Sequence, residues 1–359
     1  MQLSGAEIMC RILAEEGVTT VFGYPGGAIL PFYDALRQSP IQHILTAHEQ
    51  GAAHAADGFA RASGKVGVCI ATSGPGATNL VTGLATAYLD SIPVVAITGQ
   101  VNRALIGHDA FQEVDITGIT MPITKHNFLV KKPENLAQTL RLAFQLAREG
   151  RPGPVLVDVP RDVQTALIDF EEVCLEKLQP LKPDAARVTA AAMAISKAQR
   201  PVMLIGGGVI SANAEYDAMH LCEKLHMPVV STLMGLGAIS AYRQLFLGMT
   251  GLHGHERANN AVKEADLILA VGSRFNDRVT GERSSYSANK LVIHLDIDPA
   301  EVDKNIDSGI GITGDMVTTL QALEKEAEQH DLSSWWDKIN SWPGMDDDFG
   351  DEEAPKFFK

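Results

Sequence analysis

The sequence predicts an α/β fold made of two doubly wound parallel-sheet domains, the second of them Rossmann-like. Short apolar runs rich in β-branched residues, such as 66–72 and 267–271, alternate with helical patterns along most of the chain. Glycine-rich turns follow several of these runs, and a Pro-containing stretch at 167–186 separates two such series. Because strands that alternate with helices pair in parallel, we expect helices on both faces of each sheet.

The first domain is predicted to span residues 1–166. Its expected strands are short apolar runs at 20–24, 41–45, 66–72, 93–98 and 154–159. Its expected helices lie at 4–16, 30–38, after Glu49 and at 136–147. Ligands of parallel sheets bind beyond the carboxyl ends of the strands, so the turns that follow the strands are the candidate binding loops. These turns contain Gly26, Glu49, Ser73 and Gln100.

A linker is predicted at residues 167–186, followed by a second domain at 187–330. The strands expected in that domain lie at 202–205, 228–232, 267–271 and 291–298. Helical patterns occur at 259–264 and 316–328. The apolar pattern fails from about Ser333, and the residues from 346 onward are acidic with few apolar side chains. Residues 331–359 are therefore predicted to form an acidic, disordered tail.

The bulk composition narrows the function classes. Of the 359 residues, 45% are hydrophobic and 21% are charged, which is typical of a globular protein with large cores. A formal net charge of −14 disfavours nucleic acid and anionic membranes as partners, and no apolar run has transmembrane length. Four scattered cysteines show no disulfide or metal-ligand spacing, so we expect a reduced cytoplasm as the compartment. The eleven histidines show no metal-binding spacing, so the sequence supports no metal site within the chain.

Glu49 stands in the most informative stretch of the chain, residues 46–61. The strand-like run 41–45 leads into it, and a helix rich in small residues follows. Glu49 is therefore expected in the first helical turn, where the helix dipole favours a carboxylate. An ordinary acidic residue at a helix start is the alternative interpretation of this residue taken alone.

Several polar or glycine-rich loops are candidates for ligand binding. The turns 23–27 and 73–76 could hold a ligand against backbone N–H groups or simply reverse the chain. The second turn lacks the lysine of a nucleotide-binding P-loop, and the glycines at 206–208 do not form a GxGxxG fingerprint. The residues of the loop 109–113 could orient a small acid, or they could be ordinary surface residues without a binding role. Asp296 and Asp298 could accept ribose hydroxyls or end a strand.

Taken together, these motifs resemble the large catalytic subunits of acetohydroxyacid (acetolactate) synthase, in the thiamine diphosphate family. The resemblance runs from about Leu3 to Glu328 in consistent order. Its strongest segments are Gly23–Gly27, His48–Ala52, Ser73–Leu80, Leu89–Pro93, Thr98–Val101, Phe111–Asp115, Lys125–Asn127, Gly150–Pro154, Gly272–Arg278 and Asp296–Pro299. The resemblance implies that the first domain binds the pyrimidine of thiamine diphosphate and that the second binds FAD.

The resemblance also implies catalytic and substrate-binding residues. Glu49 would hydrogen-bond N1′ of the aminopyrimidine and so promote deprotonation of the thiazolium C2. Gly27 and Gln112 would lie near the reacting carbons. Phe111 and Arg161 would line the substrate pocket, although many relatives carry lysine where this chain has Arg161. Arginine keeps the charge there but not the geometry of lysine.

FAD would have a structural role in the second domain. By the resemblance, its contacts would be Arg151, Gly206, Gly207, Gly208, His253, Gly272, Arg274, Arg278, Asp296, Asp298 and Asp315. The family also uses Mg²⁺, whose ligands lie in a third domain with a Gly-Asp-Gly motif. That motif has no counterpart here, since Gly314-Asp315-Met316 matches it only superficially. The Mg²⁺ ligands are therefore expected outside this chain.

The function implied is acetolactate synthase, which joins pyruvate to pyruvate or 2-oxobutyrate, releases CO2 and begins branched-chain amino acid biosynthesis. The chain itself is expected to be an incomplete fragment, or one half of a split enzyme, that is inactive alone. Two alternatives stay open: another thiamine diphosphate-dependent decarboxylase, carboligase or pyruvate oxidase relative, and a non-catalytic FAD- or partner-binding remnant. The expected partners are small 2-oxo acids, further copies of the chain and a regulatory small subunit.

Overall fold

The computed structural model describes residues 1–172 and 179–344, and the chain divides into two compact units, 1–176 and 177–359. Cys174 and most of the predicted tail, residues 345–359, lie outside the described residues. Within the described part, no helix combines the length and the apolar character needed to cross a membrane. Both units are α/β, as the sequence predicted.

Strands and helices alternate along the first unit. The strands are β1 Gln2–Ser4, β2 Thr20–Gly23, β3 Gln42–Leu45, β4 Gly67–Ala71, β5 Val94–Gln100, β6 His126–Leu129, β7 Val155–Pro160 and β8 Leu167–Asp169. The helices are α1 Gly5–Glu15, α2 Leu30–Leu36, α3 Glu49–Ser63, α4 Pro75–Thr78, α5 Val81–Asp90, α6 Ile116–Thr120, α7 Leu136–Arg148 and α8 Arg161–Thr165. Within residues 1–172, six parallel strands form a sheet in the order β3-β2-β4-β5-β7-β6.

Helices cover both faces of this sheet. One core contains large aliphatic and aromatic side chains from α1, α2 and α7, and the other is rich in alanine from α3. Ala52, Ala53 and Ala56 are buried in that second core, where α3 packs against β4 and α5. The small residues of α3 therefore serve packing within the unit, because short side chains let helix and sheet approach closely.

The second unit repeats the architecture. Its strands are β9 Pro201–Ile205, β10 Val229–Ser231, β11 Phe246–Met249, β12 Leu267–Val271, β13 Leu291–Asp296 and β14 Ile310–Thr313. Its helices are α9 Ala185–Ile195, α10 Gly207–Ser211, α11 Glu215–Leu225, α12 Glu256–Glu264, α13 Asp277–Thr280, α14 Arg283–Tyr286, α15 Met316–Glu326 and α16 Ser333–Asn340. Within residues 179–344 all strand pairs are parallel, in the order β11-β10-β9-β12-β13-β14.

In two segments the structure contradicts what the sequence predicted. Residues 167–169, predicted to begin the linker, form β8, which pairs antiparallel with β1. The prediction of a disordered tail is wrong for residues 333–340, which form α16 with Trp335 and Ile339 fully buried. Trp335 Nε1 donates to the Pro201 carbonyl at 3.1 Å. Aromatic burial orders this segment despite its polar composition, because one tryptophan removes a large apolar area from water.

Candidate cofactor and substrate site

The candidate site of the first unit lies where its strand order reverses. From β2 the chain moves outward to β3, whereas from β4 it moves the opposite way to β5. The loops that follow β2 and β4 therefore border a crevice at the carboxyl edge, the usual ligand position in open α/β sheets. Residues 24–29 and 72–74 are those loops, and the second leads directly into α4.

Glu49 is the first residue of α3, as the sequence predicted, and its side chain is buried. The preceding His48 caps the helix, because its Nδ1 accepts the Gln50 N–H at 3.1 Å. Asn79 Nδ2 donates to Glu49 Oε2 at 2.9 Å. This hydrogen bond fixes the carboxylate and leaves Oε1 as the second acceptor.

Glycines keep the crevice open beside that carboxylate. A Cβ built on Gly76 would lie 3.1 Å from Glu49 Oε1 and 2.7 Å from Thr72 Cγ2. A Cβ on Gly26 would lie 2.5 Å from Thr72 Cβ. In contrast, a Cβ on Gly27 would meet no atom within 4 Å, because Gly27 faces open space. A buried carboxylate beside glycines, which have no side chain to fill the space, suits a flat heteroaromatic ring whose basic nitrogen can hydrogen-bond to the carboxyl group.

The loop predicted to form the substrate pocket is exposed. Phe111 is 87% exposed, and Gln112 has a φ of +58°, which is uncommon for residues other than glycine. The Gln112 carbonyl lies against Gly74, where a Cβ would come within 2.5 Å. Glu113 braces the loop by accepting the backbone N–H groups of Gly107 and Ala110, which lowers the pKa of its carboxyl. Arg161 is exposed at the start of α8, just past the carboxyl end of β7.

A buried polar network anchors the base of this loop. Asp158 accepts hydrogen bonds from Thr98 Oγ1 at 2.7 Å and from Gln100 Nε2 at 2.9 Å. Gln100 Nε2 also donates to the Val114 carbonyl at 3.0 Å, which ties β5 to the chain just after Glu113. Burial raises the pKa of Asp158 to about 7, because removal from water disfavours the ionised form.

This shifted pKa predicts a pH-dependent stability. The pKa of Asp158 is higher in the folded state than in the unfolded chain, so its contribution is fully present below its ordinary pKa of 3.8 and is lost as the pH rises through about 7. Relative to Asp158→Asn, the unfolding free energy of the wild type should fall with rising pH by up to about 1.4 kcal/mol per pH unit. Urea unfolding between about pH 4 and 8 measures this slope. Asp169→Asn, an exposed control, should keep the wild-type slope, and parallel curves for Asp158→Asn would contradict the prediction.

In the second unit the strand order reverses between β9 and β12. The loops that follow these strands touch at this point, since Gly208 N–H donates to the Gly272 carbonyl at 3.0 Å. A Cβ on Gly208 would lie 2.7 Å from Gly272 Cα, and one on Gly206 would overlap the Gly272 carbonyl. These predicted FAD glycines therefore have a packing role of their own. The N–H groups at the start of α10, around Gly207, lie at the same edge.

The other predicted FAD residues of this unit also follow the carboxyl ends of strands. Asp296 is buried, and its Oδ1 accepts the Asp298 N–H at 2.9 Å. The loop that contains exposed His253 is held by a hydrogen bond from Leu252 N–H to the carbonyl of exposed Arg278 at 2.8 Å.

Three of the predicted FAD contacts have other partners. The Arg274 carbonyl accepts Asn305 Nδ2 at 2.9 Å, and Asp315 caps α15 through the Thr318 N–H at 2.9 Å. Arg151 lies in the first unit, where its Nε donates to Ser91 Oγ at 2.8 Å. The edge of the second sheet thus offers backbone N–H groups, carboxylates and cations, which are the groups that a dinucleotide binds. The FAD contacts themselves stay a prediction.

Sequence reasoning missed three residues that complete the first site. Asn79 holds Glu49, Thr72 accepts the Ala28 N–H at 3.2 Å, and Gln164 Nε2 donates to the Ala28 carbonyl at 2.8 Å. Each partner lies 30 or more residues away along the chain. No local pattern marks such pairs. Among the described residues, no group of three or more His, Cys, Asp or Glu side chains could hold a metal ion.

Comparison with known proteins gives the family. Residues 3–119 match the thiamine pyrophosphate enzyme N-terminal TPP binding domain, and residues 188–323 match the central domain of the same enzymes. The chain is 50% identical to a probable acetolactate synthase large subunit of Methanocaldococcus jannaschii, over 99% of this chain and 63% of that protein.

Two bacterial proteins show similar identity. The acetolactate synthase large subunit of Corynebacterium glutamicum is 48% identical over 99% of this chain and 59% of its own length. The acetolactate synthase isozyme 2 large subunit of Escherichia coli is 50% identical over 92% of this chain and 60% of its own length. The chain thus spans about 60% of the length of the curated relatives it matches. Because the matches to the N-terminal and central domains of these enzymes follow one another along the chain, this protein belongs to the thiamine pyrophosphate enzymes.

Proposed function

We propose that this chain forms the pyrimidine-binding and FAD-binding part of an acetolactate synthase. The reaction joins two 2-oxo acids: two pyruvates give 2-acetolactate and CO2, and pyruvate with 2-oxobutyrate gives 2-aceto-2-hydroxybutyrate and CO2. The observation that carries the proposal is Glu49, a buried carboxylate fixed by Asn79 beside the glycine-bordered crevice. The names of the relatives at about 50% identity agree with it.

In this proposal Glu49 exchanges a proton with N1′ of the bound aminopyrimidine. Bound thiamine diphosphate supplies a carbon nucleophile and an electron sink for decarboxylation. The fixed Glu49 side chain would be an effective proton donor and acceptor at N1′ because its position is set before the cofactor arrives. Asn79 holds one oxygen, so the other keeps a defined direction toward the crevice.

Gly27, Gln112, Phe111 and Arg161 form the substrate side of the proposal. The open space at Gly27 admits the reacting carbons of a small oxo acid. The exposed side chains of Phe111 and Gln112 can reach over that space from their loop. Arg161 supplies the positive charge that a 2-oxo acid carboxylate requires.

FAD is proposed to bind at the carboxyl edge of the second sheet. Arg278→Ala should weaken FAD binding by about tenfold or more, because a charge-assisted contact with a phosphate is typically worth at least that much. The Arg278 side chain is 73% exposed, so its loss should not disturb the fold. Titration of the full chain with FAD, followed by quenching of flavin fluorescence, measures this. Arg283→Ala on α14 is the matched control, and equal losses in both variants would contradict the assigned site.

Further parts of the proposal follow the family. Mg²⁺ would be bound with the cofactor diphosphate, further copies of the chain would assemble with it, and a small regulatory subunit is a proposed partner, since relatives are named large subunits. We also propose a cytoplasmic location, because the described cysteines Cys10, Cys69 and Cys222 are buried free thiols.

The activity is tested with the native protein, purified together with the chains that copurify. Pyruvate, thiamine diphosphate, Mg²⁺ and FAD should yield acetolactate, detected as acetoin after acid decarboxylation. The same preparation carrying Glu49→Gln should be inactive. Release of CO2 with acetaldehyde or acetate as the product would instead assign the chain to another decarboxylase or oxidase of the family.

A further inference from the structure

Gln164 on α8 is a fully buried glutamine that joins three elements. Its Nε2 donates to the Ala28 carbonyl at 2.8 Å and to the Val159 carbonyl at 2.9 Å. The side-chain orientation is determined by these contacts, because the opposite assignment would place Oε1 against two carbonyl oxygens. Gln164 thereby ties the loop after β2 to the end of β7.

The amide oxygen of this side chain has no comparable support. Gln164 Oε1 is buried and accepts no hydrogen bond from the part of the chain that the structure describes. A buried unsatisfied acceptor destabilises a fold, so packing alone does not favour glutamine at this position. The residue therefore requires an explanation beyond stability.

Ala28 is held from other sides as well. Its N–H donates to Thr72 Oγ1 at 3.2 Å. Its carbonyl lies against Gly99, where a Cβ would come within 2.6 Å. Both polar groups of this residue are thus engaged by buried side chains, whereas neighbouring Gly27 is exposed to the crevice.

We propose that Gln164 is a positioning residue that fixes Ala28 at the wall of the site, by holding the carbonyl of the Ala28–Ile29 peptide while Thr72 holds the N–H of the Gly27–Ala28 peptide. The substrate is the 2-oxo acid of the proposed function, on which this inference rests. The crevice wall at Gly27 then has one conformation before the oxo acid arrives. Because neither side chain contacts Glu49 through a hydrogen bond, proton exchange at the cofactor should not depend on this positioning.

The test uses the native protein and Gln164→Met, which keeps the length of the side chain and removes the donor. The matched control is Gln145→Met on α7, where Gln145 Nε2 only reaches Glu149 at 3.4 Å. Three properties are measured: the steady-state kinetics with pyruvate (KM and kcat), the rate of C2 proton exchange of thiamine diphosphate, and hydrogen exchange of the Ala28 amide. A lost buried hydrogen bond corresponds to about a tenfold change in a constant that depends on it.

We expect Gln164→Met to raise KM for pyruvate about tenfold, with C2 exchange within about twofold of wild type. Exchange of the Ala28 amide should also become faster, because residue 28 is then held only by the Thr72 hydrogen bond to that amide. Gln145→Met should leave all three unchanged. A KM within about twofold of wild type, together with a lower unfolding temperature, would show a purely structural role and overturn the proposal. If the wild type makes no acetolactate, the proposed function fails, and Ala28 amide exchange still decides whether Gln164 holds the peptide.

Thr72 gives a second pair of variants in case Gln164→Met does not fold. Thr72→Val keeps the shape of the side chain and removes the acceptor of the Ala28 N–H, so it should raise KM in the same way. Thr72→Ser keeps the hydroxyl and should restore a KM close to that of the wild type. Equal KM values for the valine and serine variants would contradict the proposal.

Discussion

Glu49→Gln should slow C2 proton exchange of bound thiamine diphosphate by about 10²–10⁴-fold, the usual contribution of general acid–base catalysis. Glutamine keeps the size of the side chain and an oxygen for the Asn79 hydrogen bond, so the pocket should keep its shape. A glutamine amide cannot exchange a proton with the pyrimidine nitrogen as a carboxyl group does. The slower C2 exchange would therefore come from the loss of this proton transfer and not from a change in pocket shape. Proton NMR of the cofactor in deuterated buffer, after rapid quenching, measures the exchange rate.

Glu7→Gln is the control for this experiment. Glu7 is also in the first turn of its helix, where it forms a capping box with Ser4, and it belongs to the same unit. Its substitution should leave C2 exchange unchanged. Exchange in Glu49→Gln within about twofold of the wild-type rate would remove Glu49 from the proposed catalytic role.

Trp335→Ala should lower the unfolding free energy of the second unit by about 3–5 kcal/mol, the usual cost of removing a large aromatic side chain from a core. Trp335 is 2% exposed, contacts Trp342 edge-on and hydrogen-bonds to the Pro201 carbonyl. The truncation would leave a cavity beside β9 and remove the hydrogen bond to the Pro201 carbonyl. Urea unfolding, followed by the fluorescence of Trp336 and Trp342, reports on this unit because all three tryptophans of the chain lie in it.

Asp337→Ala tests whether the effect belongs to the buried side chain. Asp337 lies on the exposed side of α16, and substitutions at such positions usually change stability by no more than about 0.5 kcal/mol. A loss below about 1 kcal/mol for Trp335→Ala would mean that α16 does not belong to the core of the unit. Any test of FAD binding needs α16 for the same reason, since a chain that ends at residue 330 would expose the surface that Trp335 covers.

Three strands that the sequence missed share one property. The strands β6, β11 and β14 are short and lie at or beside sheet edges, where one neighbour is absent and the apolar pattern is weak. The helix α16 was missed because two adjacent tryptophans stand among polar residues. Trp335 is buried in the core and Trp336 is half-buried against it, and these contacts depend on the surface beneath the helix.

The sequence by itself determined the α/β class, the central strands of both sheets and the position of Glu49 in the first turn of its helix. These features depend on local periodicity and helix-start chemistry, which neighbouring residues carry. Only the tertiary structure brought Asn79 to Glu49, and Thr72 and Gln164 to the two polar backbone groups of Ala28, over separations of 30, 44 and 136 residues. Such contacts arise where the strand order reverses, and the order of parallel strands depends on how the helices pack rather than on any local pattern.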